Sequence, residues 1–338
     1  MMLHRAFLFS AIVALCATAC NHSRPPISRQ STAMNTYIAV TIYDDVSESL
    51  GQALIDTAFA EIRRVEGFAT DYSDTSEVGR INLAAGKDSV AVSRELVDRI
   101  HEGIAFGDLS EGKLDITIGR LVKVWNFIGE HPHVPARAVV DSFLPFIDYK
   151  KIVIHGTSVF LPSPMMRLDL GSIGKGYAIR RAAQKLKDAG LHRFIVDIGG
   201  KLSVNFPDTY LLDSTAAEIL VRHPRRDGEY FGRFRVGSGA VSTSGDYQRY
   251  FIEDGIRYHH LLDPDTGYPV RGLVAVTVVC DDPLDADAYS TIAFLLGKEK
   301  GMEFIRHTPK LEGMIIYEEG DSLRYEMTDG LAKVFHRD

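Results

Sequence analysis

The chain has 338 residues, 45% of them hydrophobic, and a formal charge of −7. That is ordinary globular composition, enough for one large domain or two small ones. The mild acidity, with no basic stripe to neutralise phosphates, argues against a nucleic-acid partner. The densest basic run, Arg222-His223-Pro224-Arg225-Arg226, reads as a solvated loop beside Asp227-Gly228.

In chain order, the first segment is a targeting signal. His4 and Arg5 give a charged start, and residues 6–19 form a short apolar run ending in small side chains. Ala17-Thr18-Ala19-Cys20 resembles the lipobox at which bacterial lipoproteins are cleaved and lipidated. The expected division is a signal peptide over 1–19, a lipidated flexible tether over 20–33 and one folded domain over 34–338. The expected location is the periplasmic side of a membrane, held by the lipid. No later stretch approaches the ~20 apolar residues of a membrane span. Cys16 lies in the signal and Cys20 is the lipid site, so only Cys280 belongs to the folded body and no internal disulfide is possible. Cys280 reads as a buried strand residue.

Residues 34–43 alternate with β-branched and aromatic side chains and predict a strand. Residues 47–65 and 93–109 carry helical spacing of apolar residues, with a polar, loop-like stretch over 68–82 between them. Trp125 is expected in the core. A strand pair around His155-Gly156, a short strand over 166–170, a helix over 177–189 and a strand over 194–198 follow. Further strand-like runs lie at 217–221, 233–241, 247–252 and 274–280, before a helix over 285–296. Hairpin-like strands dominate the second half. The fold class expected is therefore α+β, with mixed, largely antiparallel sheets, packed helices and an active site in a central cleft.

Three segments could carry chemistry. Asp169-Leu170-Gly171-Ser172-Ile173-Gly174-Lys175-Gly176 sits between a strand and a helix, where backbone N–H groups at a helix start favour an anion such as phosphate. It fits neither the Walker A pattern nor the dinucleotide fingerprint, and alone it is equally a glycine-rich turn with no ligand. Asp287 and Thr291 are four apart on the late helix, so their oxygens share one face and suit Mg²⁺. Taken alone, that segment is more simply a helix start whose acids offset the dipole. The stretch 257–269, R-Y-H-H-L-L-D-P-D-T-G-Y-P, puts His259 and His260 before a rigid polar turn, which alone is equally an ordinary hairpin turn. Ser242-Thr243-Ser244 reads as a hydroxyl-rich turn before a strand, with no nucleophile elbow for a hydrolase. A zinc site is disfavoured, because adjacent histidines in a strand face opposite ways and no H-E-x-x-H or cysteine pair occurs.

Together these segments resemble the ApbE family, the FAD:protein FMN transferases. The resemblance runs from Met34 to about Gly297 and rests on several motifs in order. They are Y-S-x-x-S-E-V-x-R-I-N from Tyr72, L-D-I-T-I-G-R-L-V-K-V-W from Leu114, and L-D-L-G-S-I-G-K-G-Y-A from Leu168. D-I-G-G from Asp197, S-T-S-G-D-Y-x-R-Y from Ser242, H-H-L-L-D-P-D-T-G-Y-P from His259 and D-A-D-A-Y-S-T from Asp285 complete the set. The resemblance implies an exported enzyme that binds FAD and, with Mg²⁺, moves FMN onto a threonine of an acceptor protein, releasing AMP. By that resemblance Met34, Tyr72, Lys113, Leu114, Asp115, Asp169, Lys175 and Leu262 contact FAD. Asp287 and Thr291 hold the metal by side chains, and the loop from Ser172 to Gly174 supplies a further metal oxygen. His260 is the candidate base, which Asp263 either orients or only supports as part of the turn. Asn35 stands where the family usually has glycine, and Lys201 replaces the more usual acid after the glycine pair. Neither departure is expected to touch a metal or phosphate residue. Two rival activities remain open: a Mg²⁺-dependent FAD pyrophosphatase using water, and a periplasmic flavin-binding lipoprotein without catalysis.

Overall fold

The computed structural model describes residues 25–207, 217–320 and 322–338. The signal peptide over 1–19, Cys20 and the first part of the tether lie outside the described residues. In chain order the elements begin with β1 (Ile27–Ala33), β2 (Thr36–Ile42), α1 (Glu48–Ala69), α2 (Glu77–Ala84), β3 (Val90–Ala91) and α3 (Arg94–Leu109). Next come α4 (Gly119–Trp125), α5 (Arg137–Phe143), β4 (Val153–His155), β5 (Ser158–Phe160), α6 (Gly174–Asp188), β6 (Phe194–Ile198) and β7 (Lys201–Asn205). The strands β8 (Ala217–Arg222), β9 (Tyr230–Val236), β10 (Gly239–Gly245), β11 (Tyr250–Glu253), β12 (Ile256–His259) and β13 (Leu273–Cys280) precede α7 (Pro283–Leu296) and α8 (Lys298–His307). The chain closes with β14 (Glu312–Glu319), β15 (Ser322–Met327), α9 (Asp329–Ala332) and β16 (His336–Arg337).

The main sheet has the order β1-β2-β6-β7-β10-β13-β14-β15, with every neighbouring pair antiparallel. Central β13 is buried along its whole length, which is why its apolar run does not alternate. One face is covered by helices: α1 packs on α6, α6 on α7 and α7 on α8. The opposite face packs against the small sheet β16-β9-β8, through Phe231, Phe234 and Val236 against Val241, Val274 and Val279. A third sheet, β3-β5-β4, joins α2 and α3 in the core shared with α1 and α6. Thus the expected α+β class with largely antiparallel sheets is what the structure has. The early helices are held at their starts by Ser47, Ser76 and Ser93, whose hydroxyls accept backbone N–H bonds, each worth about 1 kcal/mol.

Several local expectations are corrected. Residues 27–33, expected in the tether, form β1 and pair in full register with β2. Arg29 is drawn onto α1 by Gln52 and Asp56 and Ile27 is buried, so this polar-looking segment has a partner that composition does not reveal. The strand expected over 34–43 starts at Thr36, because Met34 and Asn35 form the hairpin turn. The stretch 68–82 is not a loop throughout, since Ser76 caps α2. Residues 166–170 make no strand beyond a single bridge from Arg167 to Ile118; Asn82 instead holds the Leu168 backbone from both sides. Residues 242–245 are not a turn but part of β10, with Thr243 facing Thr277 on one side while Ser242 and Ser244 face α7.

Candidate active site

The β1–β2 turn, β7 and β10 of the main sheet, the start of α6, the inner face of α7 and two long turns line a cleft. Met34, Tyr72, Lys113, Leu114, Asp115, Asp169, Ser172, Gly174, Lys175, His260, Leu262, Asp287 and Thr291 all line it. The structure therefore gathers every site residue named from the sequence.

The β1–β2 turn brings in Met34. Both Met34 and Asn35 have positive φ (52° and 57°), the two-residue geometry that suits the twist of a hairpin. Asparagine tolerates that conformation, so the fold has no need of glycine at Asn35. Met34 is anchored by its N–H donating to Glu66 Oε1 at 2.7 Å.

The glycine loop enters α6 at Gly174, three residues earlier than the helix expected from 177. Glycines at its start hide the helical pattern, and packing against α7 supplies what propensity does not. The N-cap residue, Ile173, offers no side-chain acceptor to this end. Gly176 packs so closely on α7 that an added Cβ would lie 2.3 Å from the Pro283 carbonyl oxygen and 2.6 Å from Asp287 Cβ. Its N–H donates to Asp287 Oδ2 at 2.7 Å, so the start of one helix fixes a carboxylate at the start of the other. Lys175, one residue earlier, turns into the cleft, where burial pushes its ammonium down to about 8. Opposite, burial and the neighbouring Asp71 charge raise Asp169 above the usual carboxylate range.

Asp287 Oδ1 is buried, with no aligned hydrogen-bond donor among the described residues. Thr291 lies one turn further along α7, its hydroxyl 3.3 Å from Ser244 Oγ. Among the described residues no three His, Cys, Asp or Glu side chains cluster as a metal cage. A buried carboxylate oxygen, a hydroxyl and the loop of Ser172 and Gly174 form an all-oxygen donor set. That set fits Mg²⁺, which takes few protein ligands and completes its shell with water and phosphate. One sequence departure, not expected to touch a residue named for the metal, does reach Asp287. Lys201, the first residue of β7, places its buried ammonium 2.7 Å from Asp287 Oδ1, at ion-pair distance but outside hydrogen-bond alignment. The same Nζ lies 2.8 Å from Ser242 Oγ.

The two histidines have separate roles. His259 is buried, with Nε2 2.8 Å from the Val270 carbonyl and its ring edge-on to Phe294, and burial pushes it down to about 4. His260 faces the cleft. Burial, then the Arg249 charge, hold it well below the usual histidine range, so the imidazole is neutral at pH 7. Its Nδ1 has no partner among the described residues. Asp263 makes no bond to it: its carboxylate accepts from Lys113 Nζ at 2.8 Å and from Thr266 Oγ1 at 3.3 Å. Asp263 therefore builds the turn. Gly267 in that turn takes φ +71° and gives its carbonyl to Trp125 Nε1 at 2.9 Å, tying the turn to the buried tryptophan.

Other expected contacts have their polar atoms already engaged. Lys113 also bonds Asp265 at 2.7 Å, and Asp115 accepts from the backbone N–H groups of Thr117 and Tyr149. Tyr72, half exposed at the mouth, has Lys123 Nζ 3.5 Å from its ring centroid. Sequence reasoning missed Lys201, Ser244, Arg249 and Asp71 as lining residues. Arg249 has no ion-pair or hydrogen-bond partner for its side chain among the described residues, so a cation not paired with a protein carboxylate lines the cleft. Its place in S-T-S-G-D-Y-x-R-Y was the available signal.

A family model described as the ApbE family matches residues 34–315. The FAD:protein FMN transferase of Klebsiella pneumoniae (strain 342) is 33% identical over 299 residues, covering 87% of this chain and 90% of the relative. That of Treponema pallidum (strain Nichols) is 30% identical, covering 86% of this chain and 84% of the relative. The crystal structure of the ApbE protein from Thermotoga maritima superimposes with a TM-score of 0.82 at 29% identity, covering 92% of this chain and 99% of that one. By sequence and by fold, this chain belongs to the ApbE family.

Proposed function

We propose that this chain is a FAD:protein FMN transferase, moving FMN from FAD to a threonine hydroxyl of an acceptor protein and releasing AMP. The relatives' names support the activity. The observation that carries it is the convergence, in one cleft, of a neutral, orphaned imidazole with a cationic, glycine-lined helix start.

The pyrophosphate of FAD is a dense anion. Lys175 and Arg249, which both line the cleft, attract it and hold its oxygens. The acceptor hydroxyl then attacks the phosphorus on the FMN side. The new bond is from threonine oxygen to phosphorus, the bond that breaks joins that phosphorus to the bridging oxygen, and AMP leaves with both electrons. A threonine hydroxyl is a poor nucleophile unless its proton is accepted as it attacks. His260 takes that proton, because its desolvated ring is already neutral at pH 7. Tyr72 offers an aromatic face at the mouth for a flat ring of FAD, and Met34 and Leu262 supply apolar walls. Asp287 and Thr291, with the loop of Ser172 and Gly174, would hold Mg²⁺, which when bound neutralises charge developing on the phosphate oxygens.

The chain is further proposed to act as an exported lipoprotein, anchored through Cys20 and facing the periplasm. Its amino-terminal pattern supports this, and Cys20→Ala should lose both lipid labelling and membrane association. To test the activity, purified protein is given FAD and MgCl₂ with and without a candidate acceptor domain, and AMP is quantified. Release that requires the acceptor supports transfer. Equal release of AMP and free FMN without acceptor would establish a pyrophosphatase, and FAD binding without any release would establish a flavin carrier.

A further inference from the structure

Lys201 stands on the oxygen that the proposed metal needs. Its side chain rises from the start of β7 with 7% of its surface exposed, and Asp287 is 1% exposed, so solvent screens their contact little. Asp287 cannot swing away, since its other oxygen is held by the Gly176 N–H. Nor is the lysine loosely placed. Ser242 Oγ contacts its Nζ at 2.8 Å and Ser290 Oγ at 2.9 Å, and Ser290 in turn contacts Ser244, which reaches Thr291. A chain of buried hydroxyls thus links the ammonium to the second proposed metal side chain. An ion ligated by Asp287 Oδ1 would lie within about 5 Å of that ammonium. Two cations so close in a poorly screened site repel each other.

We propose that Lys201 is a resident counter-cation of Asp287, a positioning residue that occupies the metal's electrostatic place while the cleft holds no nucleotide. It keeps the carboxylate compensated and aimed, makes metal binding to the free protein weak, and supplies positive charge beside the pyrophosphate before metal arrives. The metal then binds well only once the anionic nucleotide offsets the repulsion. This rests on the assignment of Asp287 and Thr291 as metal side chains.

The test is Mn²⁺ binding to the mature protein without nucleotide, read by the loss of the free-ion EPR signal, together with metal-free FAD binding read by flavin fluorescence in EDTA. Wild type should bind Mn²⁺ only at millimolar concentrations, and Lys201→Arg should do the same. Lys201→Gln should bind Mn²⁺ at least tenfold more tightly and metal-free FAD at least severalfold more weakly. Asp287→Asn added to Lys201→Gln should abolish the gain in Mn²⁺ affinity. Micromolar Mn²⁺ binding by wild type that Asp287→Asn removes would overturn the role of Lys201 and leave the metal assignment standing; this arm needs no lysine variant to fold. Unchanged Mn²⁺ affinity in a folded Lys201→Gln would overturn it as well. If Asp287→Asn leaves Mn²⁺ binding unaltered in both backgrounds, the metal assignment itself falls.

Discussion

Gly176→Ala is the sharpest test of how the fold builds the site. The added Cβ would lie 2.3 Å from Pro283 O, 2.6 Å from Asp287 Cβ and 2.8 Å from Leu284 Cα. All three belong to the first turns of α7 and lie on or next to its backbone, so no side-chain rotation relieves the clash. Separating α6 from α7 is the remaining response, and overpacking of that kind costs about 1–3 kcal/mol. The separation also breaks the 2.7 Å bond from the Gly176 N–H to the Asp287 carboxylate, and bonds to charged groups contribute roughly 1.5–3 kcal/mol. The expected loss is about 2.5–6 kcal/mol in urea unfolding, with weaker Mn²⁺ binding in the presence of nucleotide. Gly174→Ala is the control: its Cβ would meet nothing nearer than Met34 Cε at 3.7 Å. That variant should keep its stability within about 1 kcal/mol, since alanine also favours the helix. A Gly176→Ala protein as stable as the control, with unchanged metal affinity, would refute the proposed coupling of the two helix starts.

Three further outcomes are expected. His260→Gln should lower kcat for FMN transfer by about 10²–10⁴-fold while FAD affinity changes far less; equal losses in both would make the residue a binding group. In wild type the acid limb of kcat/KM should fall below the ordinary histidine range, because burial depresses His260, and a limb at or above that range would contradict its environment. Asp197, bonded by Tyr37 and the Gly200 N–H, is raised by burial from 3.8 to about 7. The folded state then keeps a proton that the unfolded chain releases, so stability present below about pH 4 is lost as pH rises to 7, by roughly 4 kcal/mol in full. Asp197→Asn should flatten that slope and exceed wild type in stability at pH 8, whereas parallel stability–pH curves would show that Asp197 is ionised in the fold.

Much of the site was legible because each of its pieces is local. The glycine loop, the Asp287/Thr291 spacing and the His260 turn are each contained within a few residues, and the backbone rules for glycine, helix and turn apply to them directly. What escaped depends on distant partners. Residues 27–33 look like a tether until β2 and α1 are there to receive them. The start of α6 is concealed by its glycines, of which Gly176 is set by close packing on α7. Ser242 and Ser244 suggest a turn by composition, yet they lie in a central strand because Ser290 and Lys201 satisfy their hydroxyls. Lys201 is the clearest case: nothing local in the sequence links it to Asp287, and only the antiparallel order β7-β10-β13 with α7 laid across it brings the ammonium onto that carboxylate.

The central claim is covalent transfer, and intact mass of the acceptor measures it. A candidate acceptor domain incubated with FAD, Mg²⁺ and this protein should gain the mass of one FMN less one water. The gain should vanish when its target threonine is changed to alanine or when His260→Gln replaces the wild type. An acceptor of unchanged mass, in a reaction where FAD is consumed to free FMN and AMP, would contradict the account.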